Sequence, residues 1–193
     1  MKTKALLLAT LAVIVAVMLS ACNPYMAAVT AVRETYSITT DQRSVTTQVA
    51  DTAIEAQIKT ALMTSSVKGT SGIDVYCRNG VVVLVGVVAP GSSAGREAAT
   101  IARGTSGVSR VETYFLNARP SWTNDFEIKE SIRAIYVADP VLISGRVDIA
   151  VYGGHVVLLG VVPSQAKVDR FIQDARSVSG VVSVTSFIQV ASN

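Results

Sequence analysis

Residues Asn79 to Val88 read NGVVVLVGVV, and residues 153–162, 74 positions later, read GGHVVLLGVV. Two residues that tolerate positive φ, placed before an apolar run, are typical of a tight hairpin turn and its return strand. The run is apolar on both alternating faces, which predicts a central strand or one covered on both sides. Gly86 and Gly160 interrupt the two runs and predict a bulge or a close approach of another backbone segment.

The sequence around the two runs repeats at the same spacing. Six positions of the first copy match six of the second: Asp51, Ile54, Ile58, Asp74, Gly80 and Gly86 match Asp125, Ile128, Ile132, Asp148, Gly154 and Gly160. Each copy has a helical pattern, an alternating strand, the turn, the return strand, a second helix and a last strand. The predicted order is therefore α-β-β-α-β in each copy. Asp51, and Asn124 or Asp125, occupy the predicted helix N-caps.

The first residues have the order of a secretory signal, with Lys2 and Lys4 before an apolar segment that ends at Leu19. The following Leu-Ser-Ala-Cys resembles the lipobox of bacterial lipoproteins, which implies cleavage before Cys22 and acylation of that cysteine by chains such as palmitate. We therefore expect a signal peptide at 1–21. An ordinary signal peptide with an incidental Cys22 is the alternative. By the same resemblance, the next residue, an asparagine, indicates sorting to the outer membrane.

The charge balance gives no indication of nucleic-acid binding. The chain has 17 Lys+Arg and 14 Asp+Glu, and without Lys2 and Lys4 the basic count falls to 15 against 14. Residues 22–47 are rich in Thr, Ser, Ala and Val, which predicts a lipidated cysteine followed by a tether. Beyond the leader, no segment reaches the ~18 apolar residues of a membrane-spanning helix.

Residue types that carry chemistry are few. His155 follows the second turn and has no evident orienting partner, so a strand-start histidine is the simpler interpretation. Cys77 occupies the position of Val151, which predicts a small core residue. No His/Cys cluster has a metal-ligand spacing, and carboxylates such as Asp139 and Glu112 are expected on solvated faces. We predict no catalytic, metal or cofactor site; a hydrolase or redox protein that uses His155 or Cys77 is the alternative.

The two copies differ most in their first helix. The second copy has an aromatic and basic stripe at helical spacing, with a tryptophan just upstream: Trp122, Phe126, Lys129, Arg133 and Tyr136. The matching residues after the tryptophan in the first copy are Thr52, Glu55, Lys59 and Leu62. Such a stripe suits shallow contact with an anionic membrane surface. Alternatively, Trp122 and Phe126 staple the start of the helix and Tyr136 pads an interface between the copies.

The element order resembles that of the BON domain, with a G-x-V-x-L-x-G strand and a later Gly-Val pair, Gly107-Val108 or Gly180-Val181. Lipobox, tether and two such copies together resemble the dual-BON outer-membrane lipoproteins. This resemblance implies an α+β fold of two tandem BON domains, at 48–118 and 122–191. Each would be an αββαβ unit whose small mixed three-stranded sheet packs on two helices.

The same resemblance implies a function for the stripe. In this family the second domain binds anionic phospholipid through its first helix, although the family's aromatic position holds Glu127 here. We therefore expect a protein anchored by lipid on the periplasmic face of the outer membrane, binding anionic phospholipid and supporting envelope integrity. The five stripe residues are the candidate lipid contacts. A scaffold that docks on an envelope assembly or division complex is the alternative.

Overall fold

A computed structural model describes residues 43–117, 122–142 and 146–191, without the side chains of residues 122, 123 and 146. The predicted signal peptide, Cys22 and nearly all of the predicted tether therefore lie outside the described residues. Within the described ranges, none of the helices has the length and apolar character needed to traverse a bilayer.

Each repeat is an α-β-β-α-β unit, as predicted. Repeat one contains α1 (Val45–Thr64), a 3-10 turn (Thr70–Gly72), β1 (Asp74–Arg78), β2 (Val81–Val87), α2 (Ala94–Gly104) and β3 (Arg110–Leu116). Repeat two contains α3 (Trp122–Ala138), β4 (Arg146–Tyr152), β5 (His155–Val162), α4 (Gln165–Arg176) and β6 (Ser183–Val190). Both repeats belong to one compact unit of the chain.

The two sheets are mixed and have the same topology. Their strand orders are β1-β2-β3 and β4-β5-β6, so the return strands β2 and β5 are central, as predicted. β2 runs antiparallel to β1 and parallel to β3, and β5 has the same relations to β4 and β6. The register also repeats: Cys77 pairs with Val82, and Val151 pairs with Val156.

The turns that join the hairpin strands adopt the positive φ predicted for them. Asn79 and Gly80 have φ of 54° and 71°, and Gly153 and Gly154 have φ of 59° and 78°, as a type I′ turn requires. At Gly86 the ladder continues without a bulge. A Cβ atom there would lie 3.2 Å from the carbonyl oxygen of Gly72, so this glycine allows a close backbone approach.

The first helix of each repeat begins earlier than predicted. α1 starts at Val45, after Ser44, whose hydroxyl accepts a hydrogen bond from the amide of Thr47 at 3.1 Å. The predicted boundary between tether and first domain, at residue 48, therefore falls inside α1. Asp51 lies well within this helix, and Asp125 lies inside α3, so the predicted N-cap roles are wrong. The Thr-rich start of α1 has no apolar stripe, and periodicity therefore missed it.

Helices cover only one face of each sheet. Two clusters form between helices and sheets: Ile54, Ile58, Leu62, Ile73, Cys77, Val82 and Leu84 with α2 alanines in repeat one, and Ile128, Ile132, Tyr136, Leu158 and Phe171 with their neighbours in repeat two. A third cluster joins the opposite sheet faces: Val83 and Val85 with Ala150, Val157 and Leu159. The central strands are therefore buried on both faces, which explains their continuous apolar runs.

Candidate lipid-binding surface

Four side chains lie along the outer face of α3: Phe126, Lys129, Arg133 and Val137, here called the α3 ridge. Phe126 is 64% exposed and Val137 is 75% exposed. Arg133 is exposed and Lys129 is half-buried. At 3.6 residues per turn, these positions fall within a narrow arc of the helix. The backbone of Trp122 begins the same helix one turn earlier, while its side chain lies outside the described residues.

Tyr136 does not belong to this surface, so its prediction as a lipid contact is wrong. The residue is 8% exposed, and its hydroxyl donates a hydrogen bond to the carbonyl oxygen of Phe171 at 2.7 Å. The two rings meet edge to face, with centroids 4.6 Å apart. Burial raises the pKa of the Tyr136 phenol far above its ordinary value. Tyr136 stands at the border of the core stripe, and its ring fills space inside repeat two.

Charges on the α3 ridge are only partly engaged. The guanidinium of Arg133 donates to the carboxylate of Glu130 at 2.6 Å, one turn earlier on the same helix. Among the residues that the structure describes, it records no ion pair for Lys129. Glu127 is exposed on the flank of the helix. The surface thus combines two apolar side chains, a cation without a recorded partner and a cation held by a glutamate.

The end of α3 is held by a carboxylate that was expected to be solvated. Asp139 is only 9% exposed. Its Oδ1 accepts a hydrogen bond from the amide of Val141 at 2.8 Å, and its Oδ2 accepts one from Nε of Arg170 at 2.8 Å. These bonds tie the turn after α3 to α4. They also fix the backbone of Val141, whose side chain is exposed.

The corresponding helix of repeat one turns its ionic groups toward the sheet. Glu55 accepts hydrogen bonds from the amide of Cys77 at 2.6 Å and from Arg78 at 2.7 Å. The ammonium group of Lys59 donates to the carbonyl oxygen of Ile73 at 2.9 Å. The exposed residues of α1 are all uncharged: Val45, Thr46, Val49, Ala50, Thr52, Ala53, Ala56, Gln57, Thr60, Met63 and Thr64.

The repeated aspartates bind the hairpin turns. Asp51 accepts hydrogen bonds from the amides of Asn79 and Gly80, each at 2.9 Å. Asp125 accepts the matching bonds from residues 153 and 154, each at 2.8 Å. Burial alone would raise the pKa of Asp51, but the two amides and the guanidinium of Arg43 hold it below its ordinary value. Sequence reasoning missed this role, although both aspartates precede their turns by the same 28 residues.

Cys77 and His155 each contact a polar side chain of their own repeat. The Cys77 side chain is completely buried, as predicted, and its Sγ lies 3.3 Å from Oδ1 of Asp51. Burial, followed by the charge of Asp51, raises the pKa of the thiol to about 12, which keeps it protonated at neutral pH. His155 begins β5, as predicted, and its Nδ1 lies 2.8 Å from the hydroxyl of Ser183. No cluster of metal-ligating side chains occurs in the described ranges.

Comparison with solved structures finds two of CdsD, the structural protein of the type III secretion system of Chlamydia trachomatis. The C-terminal domain matches with a TM-score of 0.31 and 15% identity, covering 74% of this chain and 67% of that one. A second CdsD structure matches with a TM-score of 0.30 and 15% identity, covering 73% and 63%.

Comparison with curated proteins finds a relative in Escherichia coli (strain K12), osmotically-inducible protein Y. The two sequences are 33% identical over 140 residues, which is 69% of each chain. The BON domain model matches twice, at residues 50–117 and 124–192, and these ranges cover the two α-β-β-α-β units except for the first residues of α1 and α3. The chain therefore belongs to the BON-domain family and carries two BON domains in tandem.

Proposed function

We propose that this chain is a non-enzymatic envelope lipoprotein whose second BON domain binds anionic phospholipid and so supports envelope integrity. BON domains are linked to phospholipid binding and occur in envelope and osmotic-stress proteins. The observation that carries the proposal is the α3 ridge, where an exposed phenylalanine and an exposed valine flank two cations on one helix face.

The spacing along the α3 ridge suits a helix that lies flat on a membrane. Phe126 and Val137 are eleven residues apart, which is about 16 Å along a helix. Both could enter the boundary between headgroups and acyl chains at the same time. Lys129 and Arg133 lie between them, where they would meet lipid phosphates. Each cation near an anionic surface contributes about 1 kcal/mol of binding free energy.

Glu130 lowers this electrostatic contribution. Because its carboxylate holds the guanidinium of Arg133 at 2.6 Å, a lipid phosphate has to compete for that cation. Glu127 adds a further negative charge on the flank of the helix. The affinity of the α3 ridge alone is therefore expected to be modest.

An acyl anchor would make a modest affinity sufficient. Leu-Ser-Ala-Cys at 19–22 resembles a lipobox, and the architecture resembles dual-BON outer-membrane lipoproteins such as DolP. In this proposal residues 1–21 are removed, Cys22 carries the acyl chains, and the residues from 23 to the start of α1 at Val45 connect it to the domains. Several chains hold a protein firmly to one leaflet, here the periplasmic face of the outer membrane. The attached domain then meets lipid at a high effective concentration.

Co-sedimentation with vesicles tests the proposal, using the chain from Asn23 onward so that no acyl group contributes. We expect binding to vesicles that contain phosphatidylglycerol, weaker binding at high salt, and little binding to pure phosphatidylcholine. Equal binding to both kinds of vesicle would contradict recognition of anionic lipid. No binding to either would overturn the proposed function.

A protein-docking scaffold is the second candidate, favoured by the outer face of α1. That face exposes Val45, Val49 and Met63, and none of the exposed residues of α1 is charged. Site-specific photo-crosslinking in cells from position 49 and from position 126 separates the two functions. Protein adducts from position 49 would support a scaffold, and lipid adducts from position 126 would support the membrane contact.

A further inference from the structure

The contact between the two sheets is reciprocal at equivalent positions. The guanidinium of Arg78 in repeat one bonds to the carboxylate of Asp148 in repeat two. The hydroxyl of Tyr152 in repeat two donates to the carboxylate of Asp74 in repeat one. Positions 78 and 152 correspond in the repeat, as do positions 74 and 148. Each repeat therefore uses the same two positions against the other, as the partners in a two-fold symmetric dimer do.

The apolar residues at the centre of this contact also come from equivalent positions of the two repeats. Val83 and Val85 of β2 face the contact, and so do their counterparts Val157 and Leu159 of β5. Tyr114 and Phe187, which correspond in the last strands, pack against the same cluster. The two faces thus present matching side chains at matching places.

Arg78 has partners in both repeats at this contact. Its side chain is 15% exposed and is paired with Glu55 of its own repeat as well as with Asp148. Burial would lower the pKa of the guanidinium, but the charges of Asp148 and Glu55 raise it above its ordinary value. The side-chain amide of Gln189 donates to the carbonyl oxygen of Arg78 at 3.0 Å, which adds a bond across the contact.

We infer that the sheet face of each repeat is a docking surface for the opposite repeat of a second copy of this chain. Two chains would exchange repeats and form a closed dimer that contains the same contact twice. Only five residues, 117–121, separate β3 from α3, and they span at most about 18 Å. Short connections of this kind favour exchange between copies when the closed form is disturbed.

Concentration decides between the closed monomer and the exchanged dimer. A short connection gives the two repeats of one chain an effective concentration on the order of millimolar. The monomer therefore predominates in dilute solution, and the exchanged dimer forms where chains are crowded, for example on a membrane surface. This inference does not depend on lipid binding by α3.

A charge-swap pair tests the inference in the whole chain from Asn23. Arg78→Asp and Asp148→Arg each place like charges across the contact within one chain. When the two variants are unfolded together and refolded at about 1 mM, the new carboxylate of one meets the new guanidinium of the other. The second contact of that mixed dimer is the native one. We expect a one-to-one mixed dimer by native mass spectrometry and light scattering, while each variant alone stays monomeric and less stable.

The chain that carries both substitutions is the matched control. In dilute solution it should be monomeric and regain most of the lost urea resistance, because the charge pair is restored within one chain. If the two single variants yield only monomers while this control regains stability, the contact does not exchange and the inference is overturned. A double variant as unstable as the single variants would also overturn it, because the pair would then not hold the two sheets together.

Discussion

The first helices of the two repeats bury equivalent side chains but differ in the chemical character of their exposed faces. α1 and α3 each bury two isoleucines four residues apart, and each uses an aspartate to bind its hairpin turn. On the outside, α1 is uncharged at its exposed positions, whereas α3 carries the α3 ridge with Glu127 and Glu130 beside it. Duplication has preserved the side chains that make the fold and changed those that meet the surroundings.

The cause of this difference lies on the neighbouring strand. In repeat one, Glu55 is drawn inward by Arg78. In repeat two, the position of Arg78 holds Tyr152 and the position of Glu55 holds Lys129, so no such ion pair can form. In repeat one the ammonium group of Lys59 lies 3.6 Å from the carboxylate of Asp74. The counterpart of Asp74 in repeat two is Asp148, and its carboxylate is already paired with Arg78 across the contact between the sheets. Two differences, Tyr152 in place of Arg78 and Lys129 in place of Glu55, therefore leave the cations of α3 without these inward partners.

The largest expected effect comes from removing both cations of the α3 ridge. Lys129→Ala with Arg133→Ala should weaken binding to anionic vesicles about 30-fold, since each cation contributes about 1 kcal/mol. The measurement is a co-sedimentation titration at low salt. Arg96→Ala with Arg103→Ala removes two exposed cations from α2 of repeat one and serves as the control. An equal loss in both double variants would show that only net charge matters and that the two repeats do not differ.

Removing the exposed aromatic should have a smaller effect. Phe126→Ala takes away apolar surface worth about 1.5 kcal/mol when it enters the lipid boundary, which corresponds to about a tenfold loss of binding. Met63→Ala, an exposed apolar side chain on α1, is the control and should leave vesicle binding unchanged. Unaltered binding of the Phe126 variant would place the lipid contact away from this helix face.

Neutralising Glu130 should increase the contribution of α3 to binding of anionic vesicles, and with it the difference from α1. Glu130→Gln frees the guanidinium of Arg133 and removes a negative charge, so binding to anionic vesicles should rise about fivefold. Glu112→Gln in repeat one breaks a comparable exposed ion pair, with Arg110 at 3.1 Å, and should have no effect. Weaker binding by the Glu130 variant would mean that this carboxylate contributes to the lipid contact.

The smallest effect is expected in the core, at the position where repeat one has a thiol and repeat two has a valine. Cys77→Val removes a weak hydrogen bond to Asp51 and should change the free energy of unfolding by no more than about 1 kcal/mol in urea titrations. Because burial raises the pKa of this thiol to about 12, iodoacetamide at pH 8 should label the chain from Asn23, which lacks Cys22, only after denaturant is added. Rapid labelling of the native protein would contradict this burial.

The sequence was informative where structure depends on neighbouring residues and less so where it depends on distant ones. Positive φ at Asn79 and Gly80, and the central position of β2, follow from local turn chemistry and unbroken apolar character. The role of Asp51 depends on amides 28 residues away, which no local pattern reveals. For the surface, periodicity predicted Phe126 correctly as exposed. It failed at Tyr136, because a residue at the edge of the apolar stripe can turn its side chain either into the core or toward solvent, and periodicity does not distinguish the two.

The bonds from Asp51 and Asp125 to the hairpin turns have a consequence for how the domains open. Amides at the tip of a hairpin commonly exchange their hydrogens with water when the turn alone opens, without unfolding of the rest of the domain. Here the amide hydrogens of Gly80 and Gly154 are bound by carboxylates inside a helix, so their exchange requires the helix to separate from the hairpin. Each tip should therefore exchange as slowly as the strands behind it, and helix and hairpin should come apart as one cooperative unit.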